Sequence, residues 1–171
     1  MCNIWKYQTH PQEEIDASFY EKLPDGLRIN ITGGEATIRK DIDKIFEILY
    51  PKSVLLELST NGYNTEKIVE LANKYPKILI RVSVEGLPQI NDSKRGLQNG
   101  FDHALRTMLE LKKTKCKNIG FSVVISPDNY KDLVSAICAS KAKRCCSFAD
   151  RTSMVYPLPS APAKRGSRPN R

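Results

Sequence analysis

The chain has 171 residues, 40% of them hydrophobic, and a formal charge of +8. That length fits one domain with a core of its own. It has no apolar run near the ~20 residues of a bilayer-spanning helix and no basic-then-apolar leader, which excludes a membrane partner from the reading. Five cysteines at irregular spacings point away from a disulfide framework and towards a reducing, cytoplasmic setting.

Taken in chain order, Pro11–Leu23 is expected to form a first helix with Ile15 and Phe19 turned inward. Four β-branched runs then read as strands: Leu27–Thr32, Val54–Ser59, Ile78–Val84 and Ile119–Ile125. Between and after them, four segments repeat the apolar spacing i, i+3, i+4, i+7. These are Ile42/Ile45/Phe46/Leu49, Ile68/Leu71/Ala72/Tyr75, Phe101/Ala104/Leu105/Met108 and Tyr130/Leu133/Val134/Ile137. Such a stripe marks a helix with one face on a sheet. Alternating strands and helices predict an α/β fold with parallel strands and right-handed crossovers.

The last stripe fails after Ile137, where continuing it would bury Lys141 and Arg144. Of the 27 basic and 19 acidic residues, eight basic and one acidic lie beyond residue 140, so residues 1–140 carry 19 against 18 and the basicity belongs to the tail. The segment from 141 to 171 reads as a basic Pro/Ser/Arg-rich disordered tail or, the preferred reading, as coding sequence in a wrong frame, because composition changes in mid-helix. Residues 1–140 are then the structured core. Adjacent Cys145 and Cys146 lack the two-residue spacer of a metal site.

Polar clusters follow the strands: Gly33-Gly34-Glu35, Thr60-Asn61-Gly62, Glu85-Gly86 and Ser126-Pro127-Asp128-Asn129. A parallel sheet puts all four on its carboxyl-end rim, where α/β proteins keep their ligands. Each also reads as a strand-to-helix turn, with Asn64 or Thr65 and Asp128 as helix caps; that reading is preferred for the last cluster and a functional one for the first. Adjacent glycines let backbone approach a ligand, and the carboxylate beside them grips a cation or an amine. His10 and His103 have no nearby ligand partners in the sequence, and Trp5 is a hydrophobic anchor or a cover for the first loop.

Cys2-Asn3-Ile4-Trp5 followed by Thr32-Gly33-Gly34-Glu35 resembles the radical S-adenosylmethionine (radical SAM) enzymes, and the likeness runs from about Met1 to Leu133. The resemblance implies an incomplete parallel (β/α) partial TIM-type barrel. Those enzymes hold a [4Fe–4S] cluster on a CxxxCxxC loop, with an iron position open to the amino and carboxylate groups of SAM. Cys2 is similar to the third cysteine of that loop; the pattern's first two cysteines and first strand have no counterpart, and the next cysteine is Cys116. Gly33, Gly34 and Glu35 match the GGE segment, whose carboxylate meets the SAM amine, although Ala36 stands where proline is commoner. Asn61 matches the end of the next strand. Ser83 and Glu85 resemble the pair that reaches the ribose, Arg95 the arginine near the SAM carboxylate, and Ile125 the apolar residue against adenine.

The parent enzyme implied is one that cleaves SAM reductively to start radical chemistry on an unidentified substrate, fed by a reductant such as flavodoxin or ferredoxin. With one of three cluster thiolates, the chain is expected not to be catalytically competent. Two alternatives stand beside it: a non-catalytic remnant or pseudogene product, and a protein that uses its basic tail on nucleic acid, where the lack of aromatic interleaving beyond Phe148 and Tyr156 supports only non-specific attraction.

Overall fold

The apolar stripes become helices laid on one face of a parallel sheet. A computed structural model describes residue 10 and residues 13–131. Cys2, Trp5 and the tail after residue 140 lie outside the described residues, as does most of the last predicted helix. Four strands, β1 (Leu27–Ile31), β2 (Ser53–Thr60), β3 (Leu79–Ser83) and β4 (Ile119–Ser122), pair in sequence order, all parallel. Helices α1 (Ile42–Lys52), α2 (Thr65–Lys74), α3 (Pro88–Arg95) and α4 (Gly100–Lys112) fill the crossovers. This is the open α/β arrangement that the strand–helix alternation predicts, in the partial-barrel form that the resemblance implies. Among the described residues no helix is long and apolar enough to cross a membrane.

Burial follows both periods. Leu56, Leu58 and Thr60 on β2 and Ile80 and Val82 on β3 are buried at every second position, facing the helices. Phe46, Ile68, Leu71 and Leu111 come down on them from the helices, completing one core. Fully burying one such side chain contributes roughly 1.5–3 kcal/mol. Asn64 caps α2, its side chain accepting from Lys67 N–H.

Two expectations are corrected. The first helix is a 3-10 helix over Ala17–Lys22, begun by Asp16, whose carboxylate accepts from Ser18 N–H. Ile15 and Phe19 are each 56% exposed instead of inward. Three residues per turn bring Ala17, Tyr20 and Leu23 to one side, and those three pack on the core. The last strand stops at Ser122, its final partner being Ser83 on β3. Ile125 therefore lies in the loop after β4, 46% exposed. Asp128 pairs with Lys94 at 3.2 Å, and the helix it is expected to cap lies mostly outside the described residues. Ser126 and Asn129 organise that turn, with Ser126 N–H donating to Asn129 Oδ1.

Candidate functional site

At the end of β1 the chain turns through Gly33-Gly34 into Glu35, whose two oxygens bind across to β2. Oε1 accepts from Thr37 N–H (3.2 Å) and from the hydroxyls of Thr37 and Thr60 (both 2.8 Å). Oε2 accepts from Asn61 N–H at 2.6 Å. Each carboxylate oxygen has two lone-pair positions, and Oε2 accepts one bond, so it keeps one position for a further donor. Glu35 is therefore both a tie between two strand ends and a remaining acceptor. The adjacent recess, about 380 Å³, is lined by Thr32 to Ala36 and by Ile38 to Asp41. Its size falls within the roughly 300–1,000 Å³ of small-molecule clefts. A side chain on Gly34 would meet no atom within 4 Å, so this stretch of backbone borders open space.

The far wall of the recess is fixed by Arg39. Its guanidinium donates to Asp41 through Nε (2.5 Å) and Nη2 (3.0 Å), and Nη2 also reaches the Ile15 carbonyl. The hydrogen bond from Arg39 holds the Asp41 carboxyl below the usual range.

The end of β3 is clamped by two buried asparagines that the sequence reading did not single out. Asn91 Oδ1 accepts from Glu85 N–H at 2.9 Å, and Asn129 Nδ2 donates to the Glu85 carbonyl at 2.7 Å and to the Val124 carbonyl at 2.8 Å. Glu85 and Arg95 form an ion pair at 2.9 Å with side chains only 17% and 19% exposed. Arg95 Nε is buried with no hydrogen-bond partner among the described residues. Next to it, burial works against ionisation of Asp92, but hydrogen bonds from Phe101 N–H, the Asn91 side chain and the amides of Asn99 and Gly100 outweigh it and lower the pKa.

Glu35 and Asn61 thus meet directly, as do Glu85 and Arg95; Ser83 ends β3 beside them, and Ile125 follows β4 by three residues. Strand order alone puts all these ends on one rim. His103 stacks on Tyr63, ring centroids 4.3 Å apart, as a surface residue of α4.

The family model described as the Radical SAM superfamily matches residues 2–137. The chain belongs to that superfamily. Among its radical SAM relatives, the Fe-coproporphyrin III synthase of Methanosarcina barkeri is 31% identical over 108 residues, covering 61% of this chain and 26% of that protein. The mycofactocin maturase MftC of Mycolicibacterium smegmatis is 28% identical over 107 residues, 61% of this chain and 27% of its own. The GTP 3',8-cyclase of Helicobacter pylori (strain HPAG1) is 32% identical over 100 residues, 53% of this chain and 31% of its own. The chain therefore spans about a quarter to a third of the length of these relatives.

The superfamily's cofactors are a [4Fe–4S] cluster and SAM, and the described residues treat them differently. No group of three or more His, Cys, Asp or Glu among them is placed to hold a metal. The described cysteine, Cys116, is buried, donates to the Ile78 carbonyl, and has its thiol pKa pushed up by burial. Cys2, the cluster ligand that the resemblance implies, lies outside the described residues. The recess beside bare glycine backbone and the remaining acceptor position on Glu35 have the chemistry to take an amino group.

Proposed function

We propose that this chain supplies the SAM-binding rim of a radical SAM enzyme, in which SAM is cleaved reductively to methionine and a 5′-deoxyadenosyl radical that takes hydrogen from a substrate. The carrying observation is the Glu35 carboxylate bound to Asn61 N–H beside the Gly33-Gly34 recess, which aligns the ends of β1 and β2 before any ligand arrives. In this reading Gly33 and Gly34 let the methionine moiety approach the backbone, and the free position on Glu35 Oε2 accepts from its amino group. Arg95 takes the carboxylate, Ser83 and Glu85 meet the ribose hydroxyls, and the exposed Ile125 covers adenine. In the family the cluster supplies the electron for cleavage. Cys2 is the ligand this chain would offer, and flavodoxin or ferredoxin the class of reductant. Residues 1–140 form the core of this unit and 141–171 a basic tail.

The alternative is a non-catalytic remnant that still binds SAM. Two measurements separate them. Anaerobic iron–sulfide reconstitution of the 171-residue chain, followed by paramagnetic resonance and a 5′-deoxyadenosine assay, is expected to give neither cluster nor product; appreciable SAM cleavage would exclude the remnant. Calorimetric titration with SAM is expected to give a Kd on the order of 0.1–1 mM, or about −4 to −5.5 kcal/mol. Gly34→Leu, which fills the recess, should abolish that binding while leaving the melt in place. Tight binding that survives Gly34→Leu would overturn the placement of SAM.

A further inference from the structure

The sheet has a second face, away from the helices. Residues that alternate with the buried ones share it, among them Arg28, Asn30, Glu57, Ser59, Arg81 and Ser83. Parallel sheets are normally apolar and covered on both faces; here one face is apolar and the other carries hydrogen-bonding groups. Solvation alone accounts for Arg28, whose side chain is exposed.

Arg81 differs from Arg28 in two respects. Its guanidinium lies over Gly120, its register partner on β4, so closely that a Cβ there would sit 2.5 Å from Nη1. The neighbouring strand has no side chain where the guanidinium rests, so Arg81 is laid across the sheet rather than extended into water. It also makes no hydrogen bond or ion pair with any described residue, although Glu57 is on the same face. Five donors in a planar fork are thus held at a fixed place without an acceptor. Ser59 is the register neighbour on β2, and Ser83 and Ser122 form the next pair towards the rim, so hydroxyls flank the fork.

We propose that Arg81, seated on Gly120 and flanked by Ser59 and Ser122, is an oxyanion-binding site on the helix-free face that receives a carboxylate or phosphate of the substrate. The assignment to the substrate rests on SAM occupying the rim at Gly33–Glu35; the oxyanion site itself does not. A guanidinium fork binds either group in two parallel hydrogen bonds, which a single charged point does not reproduce.

The test is nuclear magnetic resonance of the labelled 171-residue chain, following the Arg81 Nε–H and the amides of Ser59, Ser83 and Gly120. Succinate and inorganic phosphate are titrated separately, with sodium chloride at matched ionic strength as control. Saturable shifts are expected with at least one of the two anions, and whichever binds more tightly names the group. Arg81→Gln should abolish them, and Arg81→Lys, which keeps charge and stem, should weaken binding about tenfold. Gly120→Ala should weaken it several-fold by lifting the guanidinium, while Arg28→Gln should leave it within about twofold. Equal shifts with chloride, or equal losses in Arg28→Gln and Arg81→Lys, would overturn the site. SAM added to the same sample should shift Gly33–Glu35 without displacing the anion. Displacement would make this the SAM carboxylate's site and end the substrate assignment. Failure of SAM to bind while the anion still titrates would defeat the SAM-rim reading and leave the oxyanion site standing.

Discussion

Each oxygen of Glu35 faces a backbone N–H, Thr37 on one side and Asn61 on the other, and a backbone N–H can only donate. A glutamine there has one acceptor oxygen, so its NH2 must oppose one of these donors whichever way it turns. Glu35→Gln is therefore expected to cost about 2–3 kcal/mol, measured as a lower midpoint in urea; an unchanged midpoint would show that the carboxylate does not tie the strand ends. The Asp41 carboxylate gives a pH-dependent counterpart. Its folded pKa is depressed, chiefly by the Arg39 hydrogen bond, so its contribution is present above the unfolded value and lost as pH falls through the folded one. Asp41→Asn should lower the melting temperature at neutral pH by the equivalent of less than about 1 kcal/mol, as a partly exposed pair. That difference should close below about pH 4. A gap that stayed constant down to pH 2.5 would remove Asp41 from the acid limb.

At the scale of elements, legibility followed burial. The strands and the three long helices could be read because a half-buried element writes its period into the sequence, as Ile42/Ile45/Phe46/Leu49 does on α1. The 3-10 helix misled because Ile15 and Phe19 are four apart, whereas the winding that formed selects Ala17, Tyr20 and Leu23, three apart. Helix α3 left no stripe, since Asn91 is its buried residue. Its signal was Pro88 at the start and Gly96 just past the end. Glu35 stood out in the sequence but its internal bonds did not, because Thr37 and Thr60 are ordinary threonines until the fold brings them to 2.8 Å. The clamp of Asn91 and Asn129 on Glu85 was invisible for the same reason. The β2–α2 turn supplies a test of element packing. Gly62 has φ +77, and a Cβ there would lie 2.6 Å from Val82 Cγ1 and 3.2 Å from Ala104 Cα. Gly62→Ala combines backbone strain with a clash against β3 and α4 and should cost about 2–4 kcal/mol. Gly34→Ala, with nothing within 4 Å of its Cβ, should stay within about 0.5 kcal/mol. Similar urea midpoints for the two variants would mean that α4 does not pack on this turn as described.

For the molecule as a whole, the sheet order places β1 and β4 at its edges, and among the described residues neither has a strand on its outer side. The helix face of β1 is served by the 3-10 helix and α1, with a gap of about 200 Å³ left between them and the strand. The core is therefore best filled over β2 and β3 and thins towards β1, where Ile29 and Ile31 are only partly buried. In a parallel ladder alternate residues point their N–H to opposite neighbours, so about half of the β1 amides face away from β2. An apolar edge with free donors and acceptors also invites pairing with other chains. Hydrogen exchange of the dilute chain should show those outward β1 amides exchanging early, while β2 and β3 amides wait for global unfolding. Raising the concentration until the chain associates should slow the β1 amides first, because edge pairing protects them before anything else. Uniform protection across β1, β2 and β3 in a dilute monomer would require another segment of the same chain to cover the β1 edge.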